Sequence, residues 1–340
     1  MCGSVIPYTV EHVKVLVTGA TGYIGSRLAI QQADAGDTVH ILYRSKHKAA
    51  AVAHPNIVGF PGSILDPDSV RTAMTGCRRV FHVAAVTSMW EPDSRVYHQT
   101  NVGGTEIVLR AALECGVERV VFTSTAGVFG PSLDGPVDEH HVRRLPPFSD
   151  YDRTKMLAEE KVSKYVSLGL DTVIVNPTRV FGPSNSNKLA PLNRFIKTYI
   201  EGRWRILPGN GRWIGNYVYI DDVTLGHRLA MESGRCGERY LLGGANLSYL
   251  DFYDLIGRDS GRPRFLIPVP LAAMLLFGHL QLAKTRLSGS PPLLTPAWAR
   301  RIGYDYIISS DKAVEELGYS PRPIDECLSE TVRWIRELGE

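Results

Sequence analysis

Through the first half of the chain, short and almost continuously apolar runs alternate with longer segments of helical periodicity. VKVLVTG (13–19), TVHILYR (38–44), RRVFHVAA (78–85), RVVFTST (119–125) and DTVIVNPTRV (171–180) form the first set. SRLAIQQADAG (26–36), VRTAMTG (70–76), TEIVLRAALECG (105–116) and KMLAEEKVSKYVSLG (155–169) form the second. Runs that are apolar at every position, not at alternate ones, suit parallel strands covered on both faces. The pattern predicts an α/β chain with a doubly wound parallel sheet and helices on both sides. After Phe181 the rhythm breaks and Pro and Gly become frequent; it returns only in DVTLGHRLAME (222–232) and GERYLLGG (237–244). Residues 13–180, with about 217–245, therefore read as the sheet domain, and 181–216 with 246–340 as a smaller, discontinuous C-terminal substrate lobe.

The most apolar stretch, PVPLAAMLLFGHLQLA from Pro268 to Ala283, falls short of the roughly 20 residues a spanning helix needs and contains His279 and Gln281. It predicts a helix that packs on the core or lines a substrate cavity, with peripheral membrane contact as the sharper alternative. The amino-terminal MCGSVIPYTVEH has neither the basic start nor the apolar centre of a signal peptide. A net charge of +3 spread over 340 residues argues against a nucleic-acid surface. The five cysteines (Cys2, Cys77, Cys115, Cys236, Cys327) are scattered and lack a C-x-x-C pair, which suits reduced thiols in a cytoplasmic protein without a structural metal.

Chemistry enters at the first strand, which runs into GATGYIGSRLA. Gly19, Gly22 and Gly25 there join a buried strand to a helix, the context a dinucleotide loop requires. Gly19 allows the sharp turn, Gly22 the approach of pyrophosphate and Gly25 tight packing of helix on strand, with Thr21 in the loop and the N–H groups of Tyr23 and Ile24 at the positive helix end. The second strand ends in Tyr43, Arg44 and Ser45, followed by Lys46, His47 and Lys48, with no carboxylate for an adenosine 2′-hydroxyl. Arg44 and Lys48 suit a 2′-phosphate, so NADP(H) is favoured over NAD(H).

Taken in order, the motifs resemble the extended short-chain dehydrogenase/reductase family over nearly the whole chain, and so imply a Rossmann fold. TGATGYIG, FHVAA, NVGGT at Asn101, VFTSTAGVFG, YDRTK, NPTRVFGP, NYVYIDDV and SSDKAVEELGYSPRP carry the likeness. It implies that Thr125 holds the reacting oxygen, Tyr151 is the acid–base group, Lys155 grips the nicotinamide ribose, and Asn101 supports the site or a water in it. It also implies cofactor contacts at Ala84, Ala85, Val86, Thr123, Pro177 and Val180, and an adenine pocket at Ser63 and Ile64, where Ser63 replaces the family's aspartate. Asp66 and Asp68 read more simply as caps of the next helix. Tyr151 and Lys155 lie four apart on one helix face, so a nearby ammonium is expected to bring the phenol down from about 10 toward working pH.

Within that family, Ala126 and Gly127 after Thr125 leave no acid or base for dehydration. The diphosphate-clamping arginine of the epimerases falls at Gly215 here, with Arg212 as a substitute. The chain is most similar to the dihydroflavonol reductase and 3β-hydroxysteroid dehydrogenase branch and to hopanoid-associated members. The expected activity is an NADP(H)-dependent carbonyl reductase or alcohol dehydrogenase acting on a moderately apolar small molecule. A sugar-nucleotide epimerase and a non-catalytic NADP(H)-binding scaffold remain as alternatives. Thr87, Trp90, Phe129 and Tyr217 are substrate-pocket candidates, each equally readable as core packing. Asp221 and Asp222 are expected to tie lobe to sheet. Relatives' pairing implies a homodimer through the helix after Asn101 and the helix carrying Tyr151.

Overall fold

The computed structural model describes residues 12–184 and 189–338. Residues 1–11, Cys2 among them, lie outside the described residues, as do 185–188 and 339–340 of the expected second lobe. Six strands come first: β1 (Lys14–Thr18), β2 (Thr38–Tyr43), β3 (Ile57–Pro61), β4 (Arg79–His82), β5 (Arg119–Thr123) and β6 (Thr172–Pro177). Then follow β7 (Arg179–Phe181), β8 (Ile206–Pro208), β9 (Ile214–Tyr219), β10 (Arg239–Leu242), β11 (Ala245–Ser248) and β12 (Ile267–Val269). Seven of them build one sheet in the order β10-β6-β5-β4-β1-β2-β3, every pair parallel. This is the expected Rossmann arrangement. Strand order reverses at β1, which lies between β2 and β4, so a crevice opens above their carboxyl ends.

The period of the strands assigns the two cores. Val15 and Val17 of β1 face a cluster with Leu28, Tyr240 and Met231, whereas Leu16 between them faces Val80, Val108 and Phe122 on the other side. Burial on both faces explains why the strand sequences do not alternate. A third core, with Phe181, Tyr217, Phe252 and Leu328, holds the second lobe around the sheet β11-β9-β7. The helix Asp311–Leu317, from the stretch expected to be lobe, belongs instead to the first core. Ala313, Leu317 and Tyr319 present small and aromatic surface to the sheet domain there.

Asp221 accepts from Arg27 at 2.5 and 2.8 Å and from Gln31 at 3.0 Å, and Asp222 accepts from the Arg322 backbone at 3.1 Å. Asp222 thus ties the sheet domain to the C-terminal segment, whereas Asp221, expected to do the same, braces two helices within the sheet domain. The apolar stretch forms the helix Leu271–Ser288, of which Met274, Gly278 and Thr285 are buried while Leu276, Phe277 and Leu280 stay exposed. Gly278 is where this helix meets the helix Pro296–Ile302: a Cβ there would stand 2.9 Å from the Pro296 nitrogen. Among the described residues no helix is long and apolar enough to cross a membrane.

Candidate active site

The glycine turn sits at the crevice. Gly19 has φ of +73°, open to glycine at little cost, and a Cβ on it would lie 2.7 Å from the Ala84 nitrogen beyond β4. Gly22 closes the turn by donating to the Gly19 carbonyl at 2.8 Å and is the N-cap of the helix Tyr23–Asp34. A Cβ on Gly25 would collide with the Gly19 carbonyl, so the third glycine packs the helix against the loop's own backbone, not against a strand. The helix start has no side-chain cap and no acidic residue in its first turn. Its positive end thus faces the crevice without internal competition for an anion. Tyr23 anchors the loop on the far side, donating to the Gly182 carbonyl at 2.8 Å and accepting from Asn193 at 3.3 Å.

At the end of β2, Arg44 and Lys48 are exposed and have no ion-pair partner among the described residues. Ser45 precedes the short helix Lys46–Ala49. Ser63 is occupied locally: its hydroxyl accepts from Leu65 N at 3.2 Å and its carbonyl accepts from Ser69. Ile64 is buried in the second core, and Asp66 caps the helix Pro67–Met74, as read from sequence. These residues fit a dinucleotide, with the turn glycines and helix start for pyrophosphate and an acid-free, cationic strand end for a 2′-phosphate.

Thr125, Tyr151 and Lys155 come together where β5 ends beside the helix Asp150–Ser167. Ser149 caps that helix, accepting from Asp152 N at 3.1 Å. Thr125 accepts from Gly127 N at 3.1 Å, and its side chain stands near enough to the Tyr151 phenol to oppose, in part, the upward push on it. The expected loosening of Tyr151 by Lys155 is not what the arrangement gives. Burial pushes the phenol above its ordinary value and the Asp152 charge pushes the same way; the cation that opposes them is Arg301. Lys155 is 1% exposed, lies 4.0 Å over the Phe122 ring and donates to the Thr123 carbonyl at 2.5 Å. Burial pushes its ammonium down to about 7, only partly opposed by Glu159 one turn along. An ammonium directed at a carbonyl and discharged near neutrality has little leverage on a neighbouring phenol.

Asn101 is fully buried in the π-helical segment Gln99–Gly104. It accepts from Val86 N at 2.8 Å, donates to the Val86 carbonyl at 3.1 Å and donates to Thr154 at 3.0 Å, so it splices the loop after β4 to the Tyr151 helix. Beneath it, Thr105 donates to the Asn101 carbonyl at 2.7 Å. The Thr105 oxygen must then accept from His82 Nε2–H at 3.0 Å, leaving Nδ1 to accept from Thr18 at 2.7 Å. Burial, with the Lys155 charge, pushes His82 to about 3, so it serves as a fixed neutral link. His227 plays the same part under Thr123: its Nδ1–H donates to the Val223 carbonyl at 2.7 Å and its Nε2 accepts the Thr123 hydroxyl at 2.8 Å.

The substrate-pocket candidates scatter. Thr87 is exposed and Trp90 half-buried, whereas Phe129 is 1% exposed with Arg239 stacked 4.6 Å over its ring. Tyr217 is 1% exposed and stacks on Phe252 at 4.0 Å. Three cations that the motifs did not reveal converge instead. Arg301, from the helix Pro296–Ile302, donates to both Asp152 oxygens at 3.0 and 2.9 Å. Arg143 spends its donors on the carbonyls of Gly127, Val128, Leu145 and Pro146. Arg179 occupies the space over Gly215, where a Cβ would collide with its guanidinium. The guanidinium at position 215 is thus that of Arg179 on the paired strand, while Arg212 is exposed. The i, i+4 spacing of Lys155 and Glu159 was legible in the sequence; nothing local marks Arg301.

Residues 15–243 match the NAD dependent epimerase/dehydratase family. The chain is 30% identical over 328 residues to sterol demethylase protein B of Methylococcus capsulatus, covering 95% of this chain and 98% of that one. It is 32% identical over 316 residues, 91% of this chain and 92% of the relative, to the 4-hydroxy-2-methyl-3-oxo-4-farnesyl-3,4-dihydroquinoline-1-oxide ketoreductase of Stigmatella aurantiaca. The crystal structure of gox2253 superposes with a TM-score of 0.83 at 31% identity, over 96% of this chain and 99% of that one.

Proposed function

The chain belongs to the NAD dependent epimerase/dehydratase family and is an NAD(P)-dependent enzyme of the extended short-chain dehydrogenase/reductase type, and from that premise we propose that it is an NADP(H)-dependent carbonyl reductase or alcohol dehydrogenase acting on a moderately apolar ketone or alcohol. The observation that carries the reading is the meeting of Thr125, Tyr151 and Lys155 at the carboxyl end of β5, across the crevice from an acid-free β2 end that holds Arg44. Gly19, Thr21, Gly22, Tyr23, Ile24 and Gly25 hold the pyrophosphate, and Arg44, Ser45 and Lys48 receive the 2′-phosphate. Ser63 and Ile64 border the adenine, and Ala84, Ala85, Val86, Thr123, Pro177 and Val180 line the remainder. When bound, the nicotinamide supplies hydride.

This chain's own work is positional and protonic. Thr125 holds the substrate oxygen against Tyr151, which delivers the proton at that oxygen on reduction and removes it on oxidation. Lys155 grips the ribose, and Asn101 keeps the Tyr151 helix in register with the loop after β4. The ketoreductase relative supports a ketone substrate. We further propose a cytoplasmic homodimer paired through the helices Thr105–Glu114 and Asp150–Ser167, with the exposed face of Leu271–Ser288 as a peripheral contact. Stopped-flow loss of NADPH absorbance against a panel of cyclic and aryl ketones tests the reaction. Consumption stoichiometric with alcohol is expected. Cofactor neither consumed nor released while a sugar nucleotide epimerises would replace the reading with the epimerase one, and binding with no turnover of any kind would leave a scaffold.

A further inference from the structure

Arg179 opens β7, just past Pro177, and its backbone is held in place. Thr178 donates to Asn216 Oδ1 at 2.7 Å, and Asn216 donates on to the Gly244 carbonyl at 3.0 Å. The guanidinium is caged by aromatic rings, with Tyr249, Tyr217 and Tyr306 centroids 5.2, 5.4 and 5.9 Å from its central carbon. It donates to the Tyr217 hydroxyl at 3.3 Å. No carboxylate among the described residues lies within ion-pair distance of it. Ring faces and phenol oxygens stabilise a guanidinium but do not neutralise it, and a charge in such surroundings is costly until it meets an anion.

Tyr306 supplies a second, independent sign. It is 5% exposed, yet its hydroxyl has no hydrogen-bond partner. Its ring lies against both guanidiniums, Arg301 at 4.9 Å and Arg179 at 5.9 Å. Arg301 is neutralised by Asp152, which stands next to Tyr151 in the chain, and Arg143 has committed its donors to carbonyls. One guanidinium without a carboxylate partner among the described residues and one hydroxyl without a hydrogen-bond partner therefore remain near Asp152, the neighbour of Tyr151. That complement suits a singly charged, planar anion; a diphosphate would need more cations than are available.

We infer that Arg179 and Tyr306 receive a carboxylate, so that the ketone handled at Tyr151 carries an acid group on an otherwise apolar frame, with Gly215 there to make room for the guanidinium. The carboxylate site stands on its own geometry; its being part of a ketone rests on the reductase reading above.

Two measurements on the NADPH-bound protein test this. In calorimetry, wild type binds benzoate and discriminates against benzamide, Arg179→Met weakens benzoate by about tenfold or more, and Arg179→Lys, which keeps the charge but loses the fork, falls between. Tyr306→Phe, which removes one oxygen and keeps the ring, guards against a folding failure of the first variant and weakens benzoate by about threefold to tenfold. In turnover, the ratio of kcat/KM for 4-oxo-4-phenylbutanoate over its amide is above about ten in wild type and collapses toward one in Arg179→Met, chiefly through KM. An unchanged ratio, equal affinity for benzoate and benzamide, or UDP binding tighter than benzoate and lost in Arg179→Met would each overturn the inference. Benzoate binding that depends on Arg179, with no ketone reduced, would instead overturn the reductase reading and leave the carboxylate site standing.

Discussion

The cofactor side of the cleft is written in one short stretch of chain. Gly19, Gly22 and Gly25 lie in the turn after β1 and the first turn of the helix it enters, and Arg44 directly follows the very next strand. The substrate side is assembled from afar: Arg179 from β7, Arg143 from a loop, Asp152 from the catalytic helix and Arg301 from near the carboxyl end meet around Tyr306. A binding loop made of backbone needs residues whose only qualification is the absence of a side chain, and such residues must lie close together in the chain. A pocket made of side-chain heads needs reach, and any segment that returns to the cleft can supply it. The first kind of site survives in sequence as a motif; the second exists only after folding.

The junction of the two sides is where the largest effect is expected. Tyr151→Phe removes the transferable proton while keeping the ring, so single-turnover NADPH oxidation falls by about 10²- to 10⁴-fold. Cofactor affinity, measured by fluorescence titration, changes far less. A comparable loss in both would mean that the phenol serves binding and not proton transfer, and would erase the distinction between the two sides at its centre.

Next comes the pair that fixes the substrate side to the catalytic helix. Asp152 is fully buried and the Arg301 side chain is 18% exposed, so Asp152 left alone is a desolvated charge. Arg301→Met or Asp152→Asn is expected to cost about 3–5 kcal/mol in denaturant unfolding. Arg301→Met also removes the cation that opposes burial at Tyr151, shifting the basic limb of the rate profile upward. Full stability in both single variants would show that the two sides are not braced through this pair.

How much of this was legible divides along the same line. The parallel sheet, both of its cores, the glycine turn and the Thr125, Tyr151 and Lys155 set followed from periodicity and ordered motifs, because each depends on neighbours in sequence. The place of the helix Asp311–Leu317 did not: its two buried residues, Ala313 and Leu317, are too few to say which core they join. Phe129 and Tyr217 had the right chemistry for a pocket wall, but an aromatic residue on or after a strand carries no mark of which face it takes, and both are buried in cores. The proton affinity of Tyr151 was misjudged because helix spacing gives proximity without direction, and Lys155 points at the Thr123 carbonyl.

A milder effect tests the cofactor side. Arg44 is exposed and unpaired among the described residues, so Arg44→Ala is expected to leave unfolding stability within about 0.5 kcal/mol. The preference for NADPH over NADH should drop by about 10- to 100-fold, the worth of a charge-assisted contact to phosphate. A stability loss with no change of preference would reverse the assignment, making Arg44 a brace and leaving the 2′ position to other groups.

The smallest effect lies beneath both sides, at Lys155 and Glu159. Burial lowers the lysine to about 7 in the folded chain, while the unfolded chain keeps its ordinary higher value. Between those values the unfolded state holds the extra proton, so stability rises with pH, by at most about 1.4 kcal/mol per unit. Glu159 is raised by burial and works the other way at lower pH: there the folded state holds the extra proton and stability falls as pH rises. Together they carve a shallow minimum near neutrality into the urea-unfolding profile. Lys155→Met removes the upper limb and Glu159→Gln the lower. If instead stability of the wild type declined from pH 7 to 9 and Lys155→Met left that slope in place, the lysine would be fully charged in the fold, free to lower the Tyr151 phenol after all, and the two sides would share one proton system.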